Sequence, residues 1–387
     1  MKTYLTSESV CQGHPDKLCD YIADSILDAC LSLDPTSRVA CEVMATEGLI
    51  IVAGEITCDE DINVRKVVRK ALMDCGYKSE DFRISVLLHS QSPDIDSGVT
   101  VALEVREADN GQTELGAGDQ GTVYGYATDE TESALPLSLE LSHRICQRLD
   151  AYRKDGTIKG IHSDGKAQVT VEYQGGVPVR IEAIVVSVQH DADKNYEALR
   201  AEIIREVLLP SFEDFPFDGD TQILINPSGR FVVGGPAADT GLTGRKMMVD
   251  TYGGLALHGG GAFSGKDATK VDRSAAYMAR LIAKTVVASS LATSCEVAIS
   301  YAIGKADPVA INVDTFGTGR VSVAKLALAV QSVFPLRPRA IIEHLGLRTP
   351  LYKRTSCYGH FGRPEFPWEH VSQDHIAALL EEVGHDH

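Results

Sequence analysis

The sequence predicts an α/β protein of the α+β type with three related domains, each a mixed or antiparallel sheet that helices cover on one face. Three observations favour this fold class. The chain has 387 residues, a length that suggests two or three domains. Hydrophobic residues make up 44% of it, which is enough for folded cores. The order helix, β-hairpin, helix recurs three times along the chain.

The first unit opens with apolar residues at helical spacing, which predict a helix over about 15–33 with Pro15 in its first turn. Alternating apolar residues then predict two strands joined by a tight turn at Glu47-Gly48. A second helix and a third strand complete the unit. The expected ranges after the first helix are 39–43 and 49–56 for the two strands, 62–74 for the helix and 83–88 for the last strand.

The same order of elements returns twice. The second unit is expected to contain a helix at 133–151, strands at 167–173 and 178–189, a helix at 194–209 and a strand at 221–225. The third is expected to contain a helix at 270–291, strands at 295–304 and 309–315, and a helix at 322–333. A chance succession of elements is the alternative, but the hairpins have the clearest patterns in the chain. We therefore place three domains at about 1–105, 115–235 and 236–387, between which segments are free to interleave.

Charge and composition argue against several classes of protein. The chain has 37 basic and 54 acidic residues, a net charge of −17, whereas a general nucleic-acid binder carries an excess of basic residues. No apolar run approaches the roughly 20 residues of a membrane helix, and the first residues lack the apolar part of a signal peptide. Nine cysteines without a C-x-x-C pair are typical of reduced thiols. We expect a cytoplasmic protein that binds neither nucleic acid nor membranes.

Residues 226–273 differ in composition from the rest of the chain. They contain 11 of the 34 glycines, together with six basic and four acidic residues, a local balance of 6 − 4 = +2. Glycines let backbone N–H groups approach a ligand closely, and flanking cations add positive charge, so this segment predicts a phosphate-binding site. Tight turns on a solvated surface are the alternative. They would explain the glycines but not the basic residues.

One part of this segment, residues 260–267, nearly matches the P-loop pattern G-x-x-x-x-G-K-[ST]. Asp267 stands where the pattern requires a hydroxyl group, and no buried strand precedes the glycines. We therefore reject a true P-loop. The segment is expected to lead instead into a helix that begins near Asp267, with this residue as the N-cap.

Four further sites are open to two interpretations each. His14 and Asp16 at the start of the first helix indicate either helix capping or an anion site. The glycine-rich stretch 116–121 indicates either a turn or a close approach of backbone to ligand. Glu42 and Glu55 lie in apolar strands, where a carboxylate either has a partner or an ion, or faces solvent. For Glu42 the two interpretations are about even, and Glu55 is the better candidate.

Eight short motifs follow one another over nearly the whole chain. They are TSESV with GHPDK at 6–17, GEIT at 54–57, QSPDI at 91–95, GAGDQG at 116–121, NPSGRF at 226–231, GLTGRK at 241–246, GGGAFSGKD at 259–267 and YGHFGR at 358–363. In this order they resemble the motifs of the S-adenosylmethionine synthetase family, the methionine adenosyltransferases.

This resemblance implies a transferase of S-adenosylmethionine biosynthesis and one-carbon metabolism, with ATP and L-methionine as substrates. The methionine sulfur attacks C5′ of ATP and displaces the triphosphate, which is then cleaved to pyrophosphate and phosphate. The resemblance also implies three domains with pseudo-threefold symmetry, two Mg²⁺ ions per site and a K⁺ ion. Homodimers with active sites at the dimer interface, usually paired into homotetramers, are implied as well.

The resemblance also assigns roles to residues of the matching motifs. The triphosphate and the catalytic step are assigned to His14, Lys166, Arg245, Lys246 and Lys266. The adenosine part of ATP is assigned to Asp164, Arg230, Phe231 and Ala262. Methionine and the ribose are assigned to Glu55, Gln91, Asp119, Asp239 and Lys270, of which Asp239 also serves ATP. The metal ligands are Asp16 and Asp272 for Mg²⁺ and Glu42 for K⁺.

In one region the sequence departs from the common family pattern. The segment at about 96–115, where the family has a mobile gating loop, is expected to be longer than in many members. Two other classes remain as alternatives: a non-catalytic scaffold that binds nucleotide, and an ATP-dependent kinase. None of the expected basic and acidic site residues is missing, which argues against the scaffold. A kinase would need Ser or Thr after Lys266.

Overall fold

The computed structural model describes residues 2–90, 101–108 and 114–384. Their strands form three sheets. The strands are β1 (Lys2–Val10), β2 (Arg38–Thr46), β3 (Leu49–Thr57), β4 (Arg83–His89), β5 (Gly121–Thr128), β6 (Ile161–Gln174), β7 (Val177–His190), β8 (Gln222–Ile225), β9 (Gly241–Leu242), β10 (Ser294–Tyr301) and β11 (Ala310–Asp314).

Helices alternate with these strands along the chain. The longer ones are α1 (Pro15–Leu33), Val64–Asp74, Leu137–Asp155, Val271–Ala288, Val323–Val333 and Gln373–Gly384. The shorter ones are Leu103–Ala108, Tyr196–Glu202, Met247–Asp250 and Pro338–His344. The helix Tyr196–Glu202 continues through a π-helical segment, Ile203–Leu208, into a last helical turn, Leu209–Ser211.

The three predicted hairpins are confirmed, as is the α/β fold class. β2 pairs with β3, β6 with β7, and β10 with β11, in each case antiparallel. β2 alternates buried and less buried residues, as expected for a strand with one face on a core. A helix covers each sheet: α1 lies against β2, Leu137–Asp155 against β6 and β1, and Val271–Ala288 against β5 and β10.

Each sheet also contains a strand from a distant part of the sequence, which the repeat did not predict. The strand orders are β4-β3-β2-β9, β1-β6-β7-β8 and β11-β10-β5. Two neighbouring pairs, β3 with β4 and β7 with β8, are parallel, so two of the sheets are mixed. β1 was not predicted because polar residues occupy most of its positions, and only its last residues are buried.

The buried residues form two apolar cores. One is continuous between α1, the helix Val271–Ala288 and the C-terminal segment, and includes Trp368. The other lies between the helix Leu137–Asp155 and the sheet that contains β6 and β7. Among the described residues, none of the helices combines the length and the apolar character needed to span a bilayer.

Candidate active site

The first candidate residues lie at the N-terminus of α1. His14 is the N-cap, and its Nδ1 accepts a hydrogen bond from the Asp16 backbone N–H at 3.2 Å. Pro15 occupies the first turn, where the lack of an N–H costs nothing. Capping was one of the two interpretations from sequence, and the structure confirms it. It does not exclude an anion site, because the remaining ring nitrogen is free of this bond.

The capping bond also fixes the tautomer of His14. An acceptor at Nδ1 has no proton in the neutral ring, so the proton is on Nε2, which can then donate to a ligand. Burial and, to a lesser extent, the nearby Lys246 ammonium group together lower the pKa of His14 to about 3, against the opposing effect of Asp16. In the free protein the ring is therefore a neutral hydrogen-bond donor at neutral pH.

We expect His14 to remain neutral down to about pH 3 in the metal-free protein, as measured by imidazole ¹⁵N NMR with His14→Ala for assignment. The unfolded chain binds this proton near pH 6.5, so the free energy of unfolding falls as the pH drops from 6.5 towards 3. His14→Gln should weaken that dependence. A titration midpoint near 6.5 in the folded protein would contradict the prediction.

A compact ionic cluster surrounds His14. Lys246 Nζ donates to Asp16 Oδ2 at 2.7 Å, and the Leu242 N–H donates to Asp16 Oδ1 at 3.0 Å. Arg245 Nε lies 3.5 Å from the same Oδ1. Burial raises the pKa of the Asp16 carboxyl, but the bonds from Lys246 and Leu242 outweigh it and leave that pKa below its usual value. The carboxylate is therefore charged at neutral pH.

A second ionic pair lies in the C-terminal part of the glycine-rich segment 226–273. Lys266 Nζ donates to Asp272 Oδ2 at 2.7 Å. Gly261 passes so close to the Asp272 carboxylate that a Cβ atom on this glycine would lie 2.3 Å from Asp272 Cγ. Glycine at 261 therefore leaves the space that the carboxylate occupies.

The two loops that carry the cations touch each other. A Cβ on Gly244 would lie 2.5 Å from Ala262 Cβ, and the φ angle of Gly244 is +78°, which favours glycine. Within the glycine-rich segment, the loop of Arg245 and Lys246 and the stretch at 260–267 thus form one surface beside α1. Predicted triphosphate residues from distant parts of the sequence are brought together here.

A row of aspartates along α1 anchors these loops, and the sequence analysis missed its role. Four aspartates recur every four residues and so share one face of the helix. Each accepts a backbone N–H from a segment distant in sequence: β9 and the residues after it supply two of these groups, and the glycine-rich segment and the C-terminal region supply one each. The bonds are Asp16 Oδ1 with Leu242 N (3.0 Å), Asp20 Oδ1 with Gly244 N (2.9 Å), Asp24 Oδ1 with Gly265 N (2.8 Å) and Asp28 Oδ1 with Tyr352 N (2.9 Å). Like charges at this spacing are unfavourable on an exposed helix. The four-residue repeat of aspartates therefore indicated, from sequence alone, that these side chains have partners elsewhere in the chain.

The expected N-cap at Asp267 is wrong. The helix begins at Val271, with Lys270 as its N-cap. Asp267 instead accepts hydrogen bonds from the Val39 N–H at 2.7 Å and the Thr269 N–H at 2.9 Å, and Lys270 Nζ donates to it at 2.7 Å. The carboxylate is thus committed to a contact with β2, and it holds the glycine-rich segment there.

The residues expected around adenosine come from separate segments: Asp164 lies near the start of β6, Arg230 and Phe231 follow β8, and Ala262 lies between β9 and the helix Val271–Ala288. Asp164 accepts a hydrogen bond from the Gly235 N–H at 2.7 Å, and burial raises its pKa to about 6. The Phe231 N–H donates to His190 Nε2 at 3.1 Å, while the His190 N–H donates to the Phe231 carbonyl at 2.9 Å. His190 therefore fixes the backbone at Phe231. Arg230 is exposed.

Lys166 lies on β6 and is half-exposed, with its Nζ 3.2 Å from Glu8 Oε2 on β1. Its positive charge contributes to the lowered pKa of His14, which places it within electrostatic reach of that ring. No direct contact links Lys166 to Arg245 or Lys246 among the contacts of the described residues.

The residues expected around methionine are less closely gathered. Glu55 is half-exposed on β3, with its Oε1 3.7 Å from His89 Nε2. A Cβ on Gly118, next to the exposed Asp119, would lie 3.7 Å from Lys270 Cα. The backbone beside Asp119 is therefore close in space to Lys270. Asp239 is exposed and raises the pKa of Asp164 through its charge. Gln91 lies outside the described residues, as do residues 96–100 and 109–113 of the segment expected to form the gating loop.

Glu42 is exposed on β2 in this chain, which agrees with the interpretation that it faces solvent. Partial burial of its carboxyl group nevertheless raises its pKa, against the effect of Lys266. A cation beside this carboxylate would favour its charged form.

The candidate ligands for Mg²⁺ are two carboxylates, Asp16 and Asp272, each paired with a lysine. Among residues 2–90, 101–108 and 114–384, no three His, Cys, Asp or Glu side chains form a group that could hold a metal ion. Asp16 and Asp272 supply hard carboxylate oxygens beside the candidate phosphate-binding cations. Mg²⁺ commonly keeps several waters and binds through one or two carboxylates and substrate phosphates. The residues therefore fit ions that arrive with a nucleotide better than resident ions.

Comparisons with known proteins agree with the motifs. Models of the N-terminal, central and C-terminal domains of S-adenosylmethionine synthetase match residues 2–93, 114–231 and 233–370. The chain is 50% identical to an S-adenosylmethionine synthase of Desulforudis audaxviator (strain MP104C), over 96% of this chain and 97% of that protein. It is 51% identical to an S-adenosylmethionine synthase of Finegoldia magna (strain ATCC 29328 / DSM 20472 / WAL 2508), over 95% and 96%. The chain therefore belongs to the S-adenosylmethionine synthetase family.

Proposed function

We propose that the protein transfers the adenosyl group of ATP to the sulfur of L-methionine, and then hydrolyses the bound triphosphate to pyrophosphate and phosphate. The observation that carries this proposal is the ionic cluster at the start of α1, where Arg245 and Lys246 contact Asp16 beside the neutral donor His14. Such a surface suits a polyanionic leaving group that arrives with Mg²⁺.

The reaction requires the protein to align the two substrates and to stabilise the negative charge of the leaving triphosphate. The methionine sulfur is a neutral nucleophile and needs no general base, only a position in line with C5′. The electron pair of the broken C5′–O bond remains on the triphosphate, so donors near that oxygen stabilise the transition state. We assign this role to His14, Arg245, Lys246, Lys166 and Lys266. Mg²⁺, when bound with Asp16 and Asp272, would neutralise part of the phosphate charge.

Product analysis tests this function directly. The protein is incubated with ATP, methionine, Mg²⁺ and K⁺, and the products are identified by mass spectrometry and phosphate analysis. We expect S-adenosylmethionine, pyrophosphate and phosphate in equal amounts. ADP with a phosphorylated acceptor would identify a kinase instead, and the absence of turnover would identify a nucleotide-binding scaffold.

Glu42 is the proposed K⁺ ligand. We expect K⁺ to accelerate turnover relative to Na⁺, and Glu42→Gln to weaken this response because the amide no longer offers a negative charge to the ion. The measurement is the initial rate across a KCl series at constant ionic strength, with Glu47→Gln on the same hairpin as the control. Equal rates in Na⁺ and K⁺ for the unaltered protein would contradict the assignment.

We further propose a homodimer, paired into a homotetramer, with active sites at the dimer interface. Exposed apolar side chains on one sheet support this, among them Leu87 on β4 and Leu242 on β9. Light scattering after gel filtration should give at least twice the chain mass of 41.7 kDa. A monomer with full turnover would exclude an interface site.

The cytoplasm is the proposed location. All nine cysteines are free thiols in the structure, and eight of them are buried. Thiols in this state fit a reducing compartment.

A further inference from the structure

A buried ionic cluster behind the candidate site has no role in the chemistry described so far. Lys17 is fully buried, and its Nζ donates to Asp20 Oδ2 at 2.9 Å and to Asp250 Oδ1. The side chains of Asp20 and Asp250 are at most 5% exposed. We call these three residues the Lys17 cluster.

The Lys17 cluster joins two segments that carry candidate triphosphate residues. Lys17 directly follows Asp16 on α1. Asp250 ends the short helix Met247–Asp250 that follows Lys246, and its backbone N–H donates to the Lys246 carbonyl at 2.9 Å. The cluster is therefore one residue from Asp16 on one side and one helical turn from Lys246 on the other.

Two further bonds tie the Lys17 cluster to its surroundings. Asp20 Oδ1 accepts from the Gly244 N–H at 2.9 Å, two residues before Lys246. The Asp250 carbonyl accepts from the His360 N–H at 2.9 Å, in the C-terminal motif at 358–363. The Arg245-Lys246 loop is thus held at both ends by carboxylates that share Lys17.

We propose that Lys17, Asp20 and Asp250 are positioning residues, which hold Lys246 and Asp16 in the mutual geometry that the triphosphate chemistry needs. The inference rests on the proposed function, because it takes Lys246 as a triphosphate ligand. A purely structural cluster is the alternative. Buried ion pairs contribute little net stability compared with apolar side chains of similar size, so stability alone explains the Lys17 cluster poorly.

Asp250→Asn tests the proposal with little change in volume. It leaves Lys17 paired with Asp20 and so keeps one buried cation with one buried anion. We expect kcat for adenosyl transfer and for tripolyphosphate hydrolysis to fall by about 10- to 100-fold, since small misplacements of catalytic groups cost up to this much. The KM for methionine should change less than about twofold, because among the described residues no hydrogen bond or ion pair joins Glu55, Asp119, Asp239 or Lys270 to Lys17, Asp20 or Asp250.

A second buried ion pair supplies the matched control. The Glu369 side chain is fully buried and accepts from Arg280 Nε at 2.9 Å, from Lys284 Nζ at 2.8 Å and from the Gly362 N–H at 2.9 Å, and none of these partners belongs to the Lys17 cluster. Glu369→Gln removes a buried negative charge from two cations, so it should destabilise the protein at least as much as Asp250→Asn. We expect it to leave kcat and both KM values unchanged under conditions where it is folded.

Lys246→Ala separates failure of this inference from failure of the proposed function. If Lys246→Ala retains full tripolyphosphatase activity, the triphosphate assignment itself is wrong. If it loses activity while Asp250→Asn behaves like Glu369→Gln, only the positioning role is wrong. If Asp250→Asn does not fold, Asp20→Asn takes its place with the same expected result. Failure of both variants to fold, with Glu369→Gln folded, would make the Lys17 cluster structural and overturn the proposal.

Discussion

His14→Ala is expected to lower the rate of adenosyl transfer by about 10²–10³-fold, the usual effect of removing one donor from a developing oxyanion. The capping bond from the Asp16 N–H leaves the proton of the neutral ring on Nε2, which is the donor in question. Because the alanine variant also loses the N-cap, some loss of stability, about 1 kcal/mol, should accompany the loss of rate. The measurement is single-turnover formation of S-adenosylmethionine at saturating ATP and methionine.

Two variants separate the donor from the cap. His14→Asn restores a side-chain oxygen for the Asp16 N–H, so it should recover stability without recovering the full rate. His344→Ala removes an exposed histidine far along the chain and should change neither property. A single-turnover rate for His14→Ala within threefold of the unaltered enzyme would rule out the proposed donor.

Glu55→Ala should separate the two half-reactions, losing most adenosyl transfer while retaining hydrolysis of added tripolyphosphate. Glu55 is the proposed partner of the methionine ammonium group, and it makes no contact with the cluster of Asp16, Arg245 and Lys246. Hydrolysis needs only the phosphate-binding groups and Mg²⁺. The measurement is phosphate release from tripolyphosphate without methionine, compared with S-adenosylmethionine formation by the same preparation.

Gln91→Ala, at the other proposed methionine residue, should give the same pattern. Glu47→Ala provides the control, because Glu47 is an exposed carboxylate in the turn of the same hairpin. If folded Glu55→Ala abolishes both activities equally, the proposed division of roles is wrong, and Glu55 is structural or a metal-site residue.

Local sequence patterns predicted the hairpins and the longer helices, but they could not predict the pairing of strands that are far apart in sequence. The three hairpins were found because alternation, and in the first two hairpins a tight turn, are properties of adjacent residues. β5 and β9 pair with strands far away in sequence, β10 and β2, and no local pattern reports that. The proposed domain boundaries stay predictions, since each sheet contains a strand from elsewhere in the sequence.

In the candidate site, too, local features could be predicted from the sequence and long-range contacts could not. Composition drew attention to the basic, glycine-rich segment, and the resemblance supplied the individual roles. Neither indicated which carboxylate each cation contacts. Asp267 was expected to cap a helix because it precedes one, yet its oxygens accept from β2, a partner distant in sequence. The aspartates of α1 were visible as a four-residue repeat, but their partners are loop N–H groups that only the folded chain brings near.

The place of β1 has a consequence for synthesis on the ribosome. β1 is an edge strand that is synthesised well before its partner, β6, which begins only at Ile161. Until that partner is made, the nascent chain carries a strand with unpaired backbone groups ahead of the segments that fold around α1. Translation therefore delivers β1 well before the other strands of its sheet, which leaves an interval for chaperone capture or for mispairing with a neighbouring nascent chain.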